Sequence, residues 1–275
     1  MSSQIFAASI VIMLSKKVLS IGIDPLNFTY QLFIISGLIL SPFILIYETK
    51  KLKNISALSY LQLAFIGFLI AISYYIGFIG LRYSTATNYT FLIQTSLFFT
   101  LIFARIFLGE KLTLVKVSLG IILLTGCYFV ATAGQLLTPH KGDFLIIIST
   151  MPFALHLVLA KNILTKIPVF TYSVFRNLLG GLFLLIYVIY TNQFDPSLIS
   201  KWVMLASLAI SFGLFAINKA LQNASTAYVS MMSLLIPVIT SVFAFLIYSQ
   251  KMNTIQIIGG LIILSSGFLI NKLKI

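Results

Sequence analysis

The sequence predicts an all-α membrane protein of ten transmembrane helices, arranged as two inverted five-helix repeats. Three observations support this fold class: the composition, the spacing of the apolar runs, and an internal similarity between the two halves. Of the 275 residues, 60% are hydrophobic and 8% are charged, whereas a soluble domain carries roughly 25% charged residues. Because so few charges cannot cover a water-soluble surface, lipid must surround most of the protein.

Apolar runs long enough to cross a bilayer follow one another along the whole chain. A helix needs about 20 residues to cross the hydrocarbon layer, and these runs end at charges, prolines and polar clusters. The predicted spans, in order, are Gln4–Ile21, Asn27–Tyr47, Leu58–Leu81, Thr85–Phe107, Leu114–Ala133, Gly142–Asn162, Val169–Thr191, Trp202–Leu221, Ser225–Tyr248 and Thr254–Asn271. The loops between them are too short to fold into a domain, so we expect the function to lie within or across the bilayer.

The basic residues predict an orientation rather than a nucleic-acid partner. The net charge of +13 comes from Lys and Arg residues that punctuate the apolar runs, with no basic domain. If the N-terminus is cytoplasmic, most of these residues fall on the cytoplasmic side, as the positive-inside rule requires. A cleavable signal peptide would begin with a basic region, and none precedes the first apolar run. We predict a multi-pass protein of the plasma (inner) membrane with both termini cytoplasmic.

The second half of the chain repeats features of the first at an offset of about 140 residues. Aligned pairs are Leu81 with Leu221, Gly120 with Gly260, Glu110-Lys111 with Gln250-Lys251, and Phe28-Thr29-Tyr30 with Phe170-Thr171-Tyr172. We predict one repeat in residues 1–135 and the second in residues 142–275. Since each repeat has an odd number of spans, the second enters the membrane in the opposite direction. Inverted repeats of this kind place a solute site near the midplane.

Short motifs recur at corresponding places in the two halves. They are Gly80-Leu81-Arg82-Tyr83-Ser84-Thr85-Ala86 and Leu108-Gly109-Glu110 in the first, and Ala220-Leu221, Ser225-Thr226-Ala227, Pro237-Val238 and Gly259-Gly260 in the second. In these motifs the chain resembles the drug/metabolite transporter superfamily, specifically its EamA-like ten-helix transporters. It departs from them at Leu97, where a mid-span proline is common, and at Tyr248-Ser249-Gln250, where a leucine–glycine–glutamate turn is common.

The resemblance implies that spans 1–4 and 6–9 surround a central cavity, that spans 5 and 10 are peripheral, and that transport proceeds by alternating access. Family substrates include amino acids and their analogues, nucleosides, sugar conjugates and drugs. We therefore expect a secondary active transporter without enzymatic activity, cofactor or metal, exporting small metabolites such as amino acids or related compounds. The alternatives are a phosphorylated-metabolite or nucleotide-type antiporter of the same fold and, more distantly, a channel or an intramembrane enzyme.

Two ionisable residues lie deep within predicted spans, where a charge costs roughly 2.5–3.5 kcal/mol and therefore faces a cavity or a partner. Arg176, in span 7, suits a carboxylate ligand because its guanidinium is a fork of donors; the alternative is a side chain that snorkels to the interface. His156 follows Pro152 by one turn in span 6. It could carry a coupling proton or bind the solute, or it could bond a neighbouring helix.

Uncharged polar residues at mid-depth complete the predicted substrate-binding set, with bonding between helices as the alternative for each. They are Tyr74, Gln94, Gln31, Asn88 and Ser233. Lys16 and Lys161, which are counterparts in the two repeats, and Pro237 are predicted gating or mouth residues. Because Arg176 is the deep cation, we expect a neutral, zwitterionic or monoanionic solute, carried by a monomer or a homodimer.

Overall fold

The structure is a computed structural model. It describes residues 2–49, 55–194, 200–248 and 253–273, without the side chains of residues 86–87, 243–248, 271 and 273. The described residues form helices and connecting turns, with no strand among them, so the predicted all-α class is confirmed. Ser249, Gln250 and Lys251 of the sequence motifs lie outside the described ranges, as do Lys50, Lys51, Lys53 and Lys274, which are among the basic residues that predict the orientation.

In the described ranges the helices form ten spans, two of them in two pieces. They are α1 (Ser2–Ser20), α2 (Pro25–Tyr47), α3 (Ala57–Arg82), α4a (Ala86–Leu92), α4b (Ser96–Leu108), α5 (Leu114–Thr132), α6 (Asp143–Ile163), α7 (Val169–Tyr190), α8 (Lys201–Asn223), α9a (Thr226–Ser233), α9b (Ile236–Tyr248) and α10 (Thr254–Leu273). Within the described ranges, eight helical stretches are long and apolar enough to cross a membrane. The shorter apolar stretches Thr226–Val242 and Thr254–Ile270 complete the ten predicted spans.

Short polar residues set most of the helix starts. The hydroxyls of Ser56, Thr85, Thr113, Ser200 and Ser225 each accept a hydrogen bond from the backbone N–H three residues later. These bonds satisfy amides that have no partner within the helix. The opposite end of α4b is closed by Gly109 in the left-handed conformation, with φ of 66°, as is usual for a helix C-terminus. The helix ends therefore fall close to the predicted boundaries.

The helix ends sort into two groups, one at each face of the bilayer. We call the face at which α1 begins the terminal face, and the other the opposite face. At the terminal face the end of α2 bonds the start of α7, and the end of α6 bonds the end of α8. At the opposite face the end of α1 bonds the end of α3, and the start of α4a bonds the start of α6. Successive helices therefore cross in alternate directions.

The same helix pairs are in contact when each helix is replaced by its counterpart in the other repeat. Helix α2 packs on α7, α5 packs on α10, and the pair α1–α8 has its counterpart in the pair α6–α3. Glycines permit close approach between α3 and α7 and between α5 and α10: a Cβ on Gly180 would lie 2.5 Å from the carbonyl oxygen of Gly67, and one on Gly259 would lie 2.8 Å from that of Gly126. This pairing is what two inverted five-helix repeats produce.

Apolar side chains cover the outside of the bundle, and polar side chains are buried inside it. Phe212, Leu45 and Leu61 are 72%, 71% and 68% exposed, whereas Thr171 and Asn177 are fully buried. A soluble protein shows the reverse tendency for its polar residues. The exposed apolar surface is therefore the surface that lipid covers.

Spans 4 and 9, predicted as continuous helices, are both interrupted at corresponding positions. In span 9, Pro237 lacks the N–H that would bond the carbonyl of Ser233, and Leu234 N and Leu235 N instead bond carbonyls three residues back, at 3.1 and 3.2 Å. In span 4 a 3₁₀ turn over Ile93–Thr95 separates α4a from α4b. No proline stands there, so this break could not be predicted from the residue types.

Candidate functional site

A cavity of about 160 Å³ lies between the two repeats. Its walls come from α1, α3, α4a, the 3₁₀ turn and α4b of the first repeat, and from α6, α7, α8, α9a and α9b of the second. Within the described residues, α2, α5 and α10 contribute no wall residue. The expectation that span 2 faces the cavity is therefore wrong, because α2 is packed against α7 and α8 instead.

Arg176 lines this cavity and has no counter-charge. The residue is 2% exposed, and its Nε has no hydrogen-bond partner within the described ranges. Among the described residues no Asp or Glu lines the cavity, and the ion pair found there, Arg82 with Asp24, is on the surface. The hydroxyl of Tyr172 is near the guanidinium but does not meet hydrogen-bond geometry. A buried, unpaired cation at a cavity wall favours an anionic ligand.

The backbone fixes the position of Arg176. A Cβ on Gly67 would lie 2.7 Å from the carbonyl oxygen of Arg176, so α3 and α7 are in backbone contact at this level. Three residues earlier on α7, the hydroxyl of Ser173 accepts a hydrogen bond from Asn218 Nδ2 of α8 at 2.8 Å. The guanidinium therefore projects from a helix that is held on two sides.

His156 lines the cavity close to Arg176. Its Nδ1 bonds the carbonyl oxygen of Phe153, and because a carbonyl only accepts, Nδ1 carries the hydrogen. The neutral ring then presents Nε2 as an acceptor. The ring also packs edge-on against Phe153, with 5.1 Å between ring centroids. His156 lies within electrostatic reach of Arg176.

Tyr74, Gln94 and Ser233 also line the cavity, as the sequence predicted for substrate-binding residues. Tyr74 packs edge-on against Phe33 and Phe78, with centroid distances of 5.4 and 5.6 Å. Gln94 belongs to the 3₁₀ turn of span 4, is 4% exposed, and has no partner for its Nε2 within the described ranges. Ser233 ends α9a, so both helix breaks reach the cavity wall. Discontinuous helices commonly build solute sites in secondary transporters.

Gln4 is a cavity residue that the sequence did not single out. It is 6% exposed, and its Oε1 has no hydrogen-bond partner among the described residues. The sequence placed Gln4 at the boundary of span 1, where a polar residue is unremarkable. Gln4 lines the cavity because of how α1 packs against α8, and no local sequence pattern reveals that packing.

Two predicted substrate-binding residues lie away from the cavity. Gln31 is on α2, where its Nε2 bonds the hydroxyl of Tyr30 at 3.4 Å. Asn88 lies at the opposite face, and its Nδ2 donates to Asp143 at 2.8 Å and to the carbonyl of Thr138 at 3.1 Å. Asn88 therefore connects the start of α4a to the segment that leads into α6.

Lys16 and Lys161 bind helix C-termini and do not line the cavity. Lys16 Nζ donates to the carbonyl oxygens of Leu81 and Ser84 at 3.0 and 2.9 Å. Lys161 Nζ donates to the equivalent carbonyls in the second repeat, at 2.7 Å from Leu221 and 2.8 Å from Ala224. Each lysine thus caps the third helix of its own repeat. Pro237 does not line the cavity either. It affects the cavity wall indirectly, because it interrupts span 9 next to Ser233.

Two carboxylates of the first repeat cap helices of the second at the terminal face. Glu48 accepts hydrogen bonds from Phe170 N at 3.1 Å and from the N and Oγ1 of Thr171 at 2.7 and 2.8 Å. Glu110, which follows the helix-ending Gly109, accepts from the N and Oγ1 of Thr226 at 3.0 and 2.7 Å. These bonds satisfy first-turn amides of α7 and α9a and join the two repeats.

Comparison with known proteins identifies the family. The sequence profile of the EamA-like transporter family matches residues 3–132 and, a second time, residues 140–272. The chain belongs to the EamA-like transporter family. An uncharacterized transporter of Archaeoglobus fulgidus is 26% identical over 265 residues, covering 90% of this chain and 88% of the relative. Another, from Synechocystis sp., is 25% identical and covers 92% of this chain and 79% of the relative.

A solved protein crystal structure shares the fold of this EamA-like protein, with a TM-score of 0.74 at 15% identity. The similarity covers 99% of this chain and 97% of the other. The family and the relatives point to a membrane transporter rather than an enzyme, and the resemblance stated from the sequence motifs is confirmed.

Proposed function

We propose that this EamA-like protein is a secondary active transporter that carries a small carboxylate-bearing metabolite, such as an amino acid or a related compound. The observation that carries the proposal is Arg176, a buried guanidinium on the cavity wall with no carboxylate beside it. Arg pairs well with carboxylates because its planar fork of donors matches their two oxygens. A cavity of about 150 Å³ accommodates a benzene-sized molecule, so the present cavity, at about 160 Å³, suits a solute of that size.

A phosphorylated solute is the second candidate, and the positions of the lysines disfavour it. A phosphate group carries more negative charge than a carboxylate and is commonly held by several cations. In the described part of the chain Arg176 is the one Lys or Arg on the cavity wall, while Lys16 and Lys161 are held by backbone carbonyls. The charge of the cavity therefore fits a single anionic group.

We propose transport by alternating access, with export as the net direction and both termini in the cytoplasm. The exchangeable pairing of α1–α8 with α6–α3 supports a site that two related halves can expose to either face in turn. The helix breaks in spans 4 and 9 lie on the cavity wall, where a change of backbone conformation alters access most directly. Among the described Lys and Arg residues outside the cavity, seven lie towards the terminal face and five towards the opposite face, which supports the orientation.

Counterflow in proteoliposomes tests the proposed function. Vesicles would be preloaded separately with an amino acid, a 2-hydroxy acid, a sugar phosphate or a nucleoside, and the entry of the same labelled compound would be measured. We expect exchange of a carboxylate-bearing compound and a loss of at least about tenfold in Arg176→Gln, since charge-assisted hydrogen bonds contribute about 1.5–3 kcal/mol. Arg105→Gln, an exposed arginine on α4b, is the matched control. Undiminished exchange by Arg176→Gln would refute the proposal.

A further inference from the structure

We infer that Gln4 is a specificity-determining residue, which accepts a hydrogen bond from an ammonium or hydroxyl group of a solute whose carboxylate is bound by Arg176. This inference rests on the proposed function and narrows it. The solute would be an amino acid or a hydroxy acid, and a simple monocarboxylate of the same shape would bind more weakly.

Few fully buried polar atoms of the cavity wall lack a hydrogen-bond partner in the described ranges. Most of the wall hydroxyls already donate to backbone carbonyls of their own or a neighbouring helix, as Ser73, Ser149 and Ser233 do at 2.6–2.9 Å. Among the fully buried polar atoms of the wall residues, those without a partner in the described ranges are the Nε of Arg176, the Nε2 of Gln94 and the Oε1 of Gln4. All three belong to side chains that are at least nine-tenths buried. Unpaired buried polar atoms are costly, so a ligand that pairs them gains that free energy.

Arg176 and His156 lie at similar distances from the terminal face. Arg176 follows the start of α7, and His156 precedes the end of α6, by seven residues each; at 1.5 Å per residue both lie about 10 Å from the terminal face. Gln4 precedes Lys16, which bonds the end of α3, by twelve residues, or about 18 Å. Gln4 is also only two residues from the start of α1 at Ser2, so its contacts with α8 define its level relative to Arg176.

The packing of α1 on α8 places Gln4 near the middle of α8. A Cβ on Gly213 would lie 3.1 Å from the Cβ of Ala7 and 4.0 Å from the carbonyl oxygen of Gln4, and Gly213 is at the middle of α8. Asn218, one turn and a half further along α8, is bonded to Ser173 of α7. Gln4 and Arg176 therefore flank α8 at similar depth, although Gln4 stands near the beginning of the chain.

The described polar groups at this level include both hydrogen-bond donors and acceptors. This layer offers donors at Arg176 and acceptors at Gln4 Oε1 and His156 Nε2, but no carboxylate. A ligand that satisfies both kinds of atom must combine an anionic acceptor with a nearby donor, as the head group of an amino acid or a 2-hydroxy acid does. Aromatic side chains of the same cavity, Phe78, Tyr74 and Tyr89, are left to contact the rest of the solute.

Binding of four compounds that share a 3-methylbutyl chain tests the inference. They are L-leucine, 2-hydroxy-4-methylpentanoate, 4-methylpentanoate, which lacks the donor, and 3-methylbutylamine, which lacks the carboxylate. Affinity would be measured from the concentration dependence of thermal stabilisation of the purified protein in detergent. We expect L-leucine or the hydroxy acid to bind at least about tenfold more tightly than 4-methylpentanoate. Comparison of L-leucine with the hydroxy acid shows whether the site prefers an ammonium or a hydroxyl donor.

The variant Gln4→Met keeps the shape of the side chain and removes the amide. It should bind the preferred compound about tenfold more weakly and 4-methylpentanoate unchanged, which a general loss of stability would not produce. Gln4→Asn, which retains a shortened amide, is the second variant if the first unfolds. Gln31→Met is the matched control, since it removes a buried amide on α2, away from the cavity.

The outcomes separate this inference from the proposed function. If 4-methylpentanoate binds as tightly as L-leucine and the hydroxy acid, or if Gln4→Met keeps full discrimination, the inference fails while a carboxylate transporter remains. If 3-methylbutylamine binds as well as the acids, the proposed role of Arg176 fails too. Absence of stabilisation by all four compounds would also overturn the inference.

Discussion

Replacement of Glu48 by alanine tests how the two repeats are joined at the terminal face. Helix α7 begins after Pro168, which offers no side-chain cap, so Glu48 of α2 supplies the cap from another helix. The substitution removes three hydrogen bonds to Phe170 and Thr171 from a carboxylate that is 8% exposed. Charge-assisted bonds contribute about 1.5–3 kcal/mol each, and loss of a helix cap costs about 0.5–2 kcal/mol.

Because bonds that share one carboxylate are not additive, we expect Glu48→Ala to lower the free energy of unfolding by about 2–4 kcal/mol. Reversible unfolding in mixed micelles, followed by circular dichroism, would measure it. Asp24→Asn is the control: asparagine still caps α2 at Leu26 N, and the lost ion pair with Arg82 is at the surface, 3.4 Å long, where such pairs contribute about 0–1 kcal/mol. Equal effects of the two substitutions would refute the reasoning.

Three further predictions concern the cavity and its supports. Arg176→Lys should retain more carboxylate counterflow than Arg176→Leu, because lysine keeps the charge but not the planar fork; equal rates would exclude charge recognition. If His156 carries a coupling proton, uptake should depend on an imposed pH gradient and His156→Gln should remove that dependence; an unchanged gradient response would exclude His156 as the proton carrier. Gly180→Val should prevent accumulation of folded protein, since its Cβ would lie 2.5 Å from the carbonyl oxygen of Gly67; a normal yield on size-exclusion chromatography would show that α3 and α7 can separate.

The spans were predictable because hydropathy and capping are local properties. Runs of about 20 apolar residues have few alternatives in a bilayer, and the hydroxyls of Ser56, Thr85 and Ser225 mark helix starts in the sequence itself. The break in span 4 was not predictable in this way. Proline marks the break in span 9, whereas Leu97 occupies the corresponding region of span 4, where the 3₁₀ turn is visible only in the structure.

The candidate site was only partly predictable, because neighbours from distant helices decide which polar residue reaches the cavity. Gln31 and Gln94 look alike as mid-span glutamines, yet the first lies on α2 beside Tyr30 and the second at a helix break on the cavity wall. Lys16 and Lys161 were recognised as counterparts, but their carbonyl partners lie about 60 residues away along the chain. Gln4 reaches mid-depth through the offset packing of α1 on α8.

Access to the cavity from each face is the measurement that tests alternating access most directly. In a protein with Cys127 replaced by serine, a single cysteine at Ser233 would be exposed to a membrane-impermeant thiol reagent, added inside or outside oriented proteoliposomes. We expect modification from both sides, and protection from both by a transported carboxylate. Modification from one side only, or labelling unaffected by any transported solute, would contradict a solute pathway through this cavity.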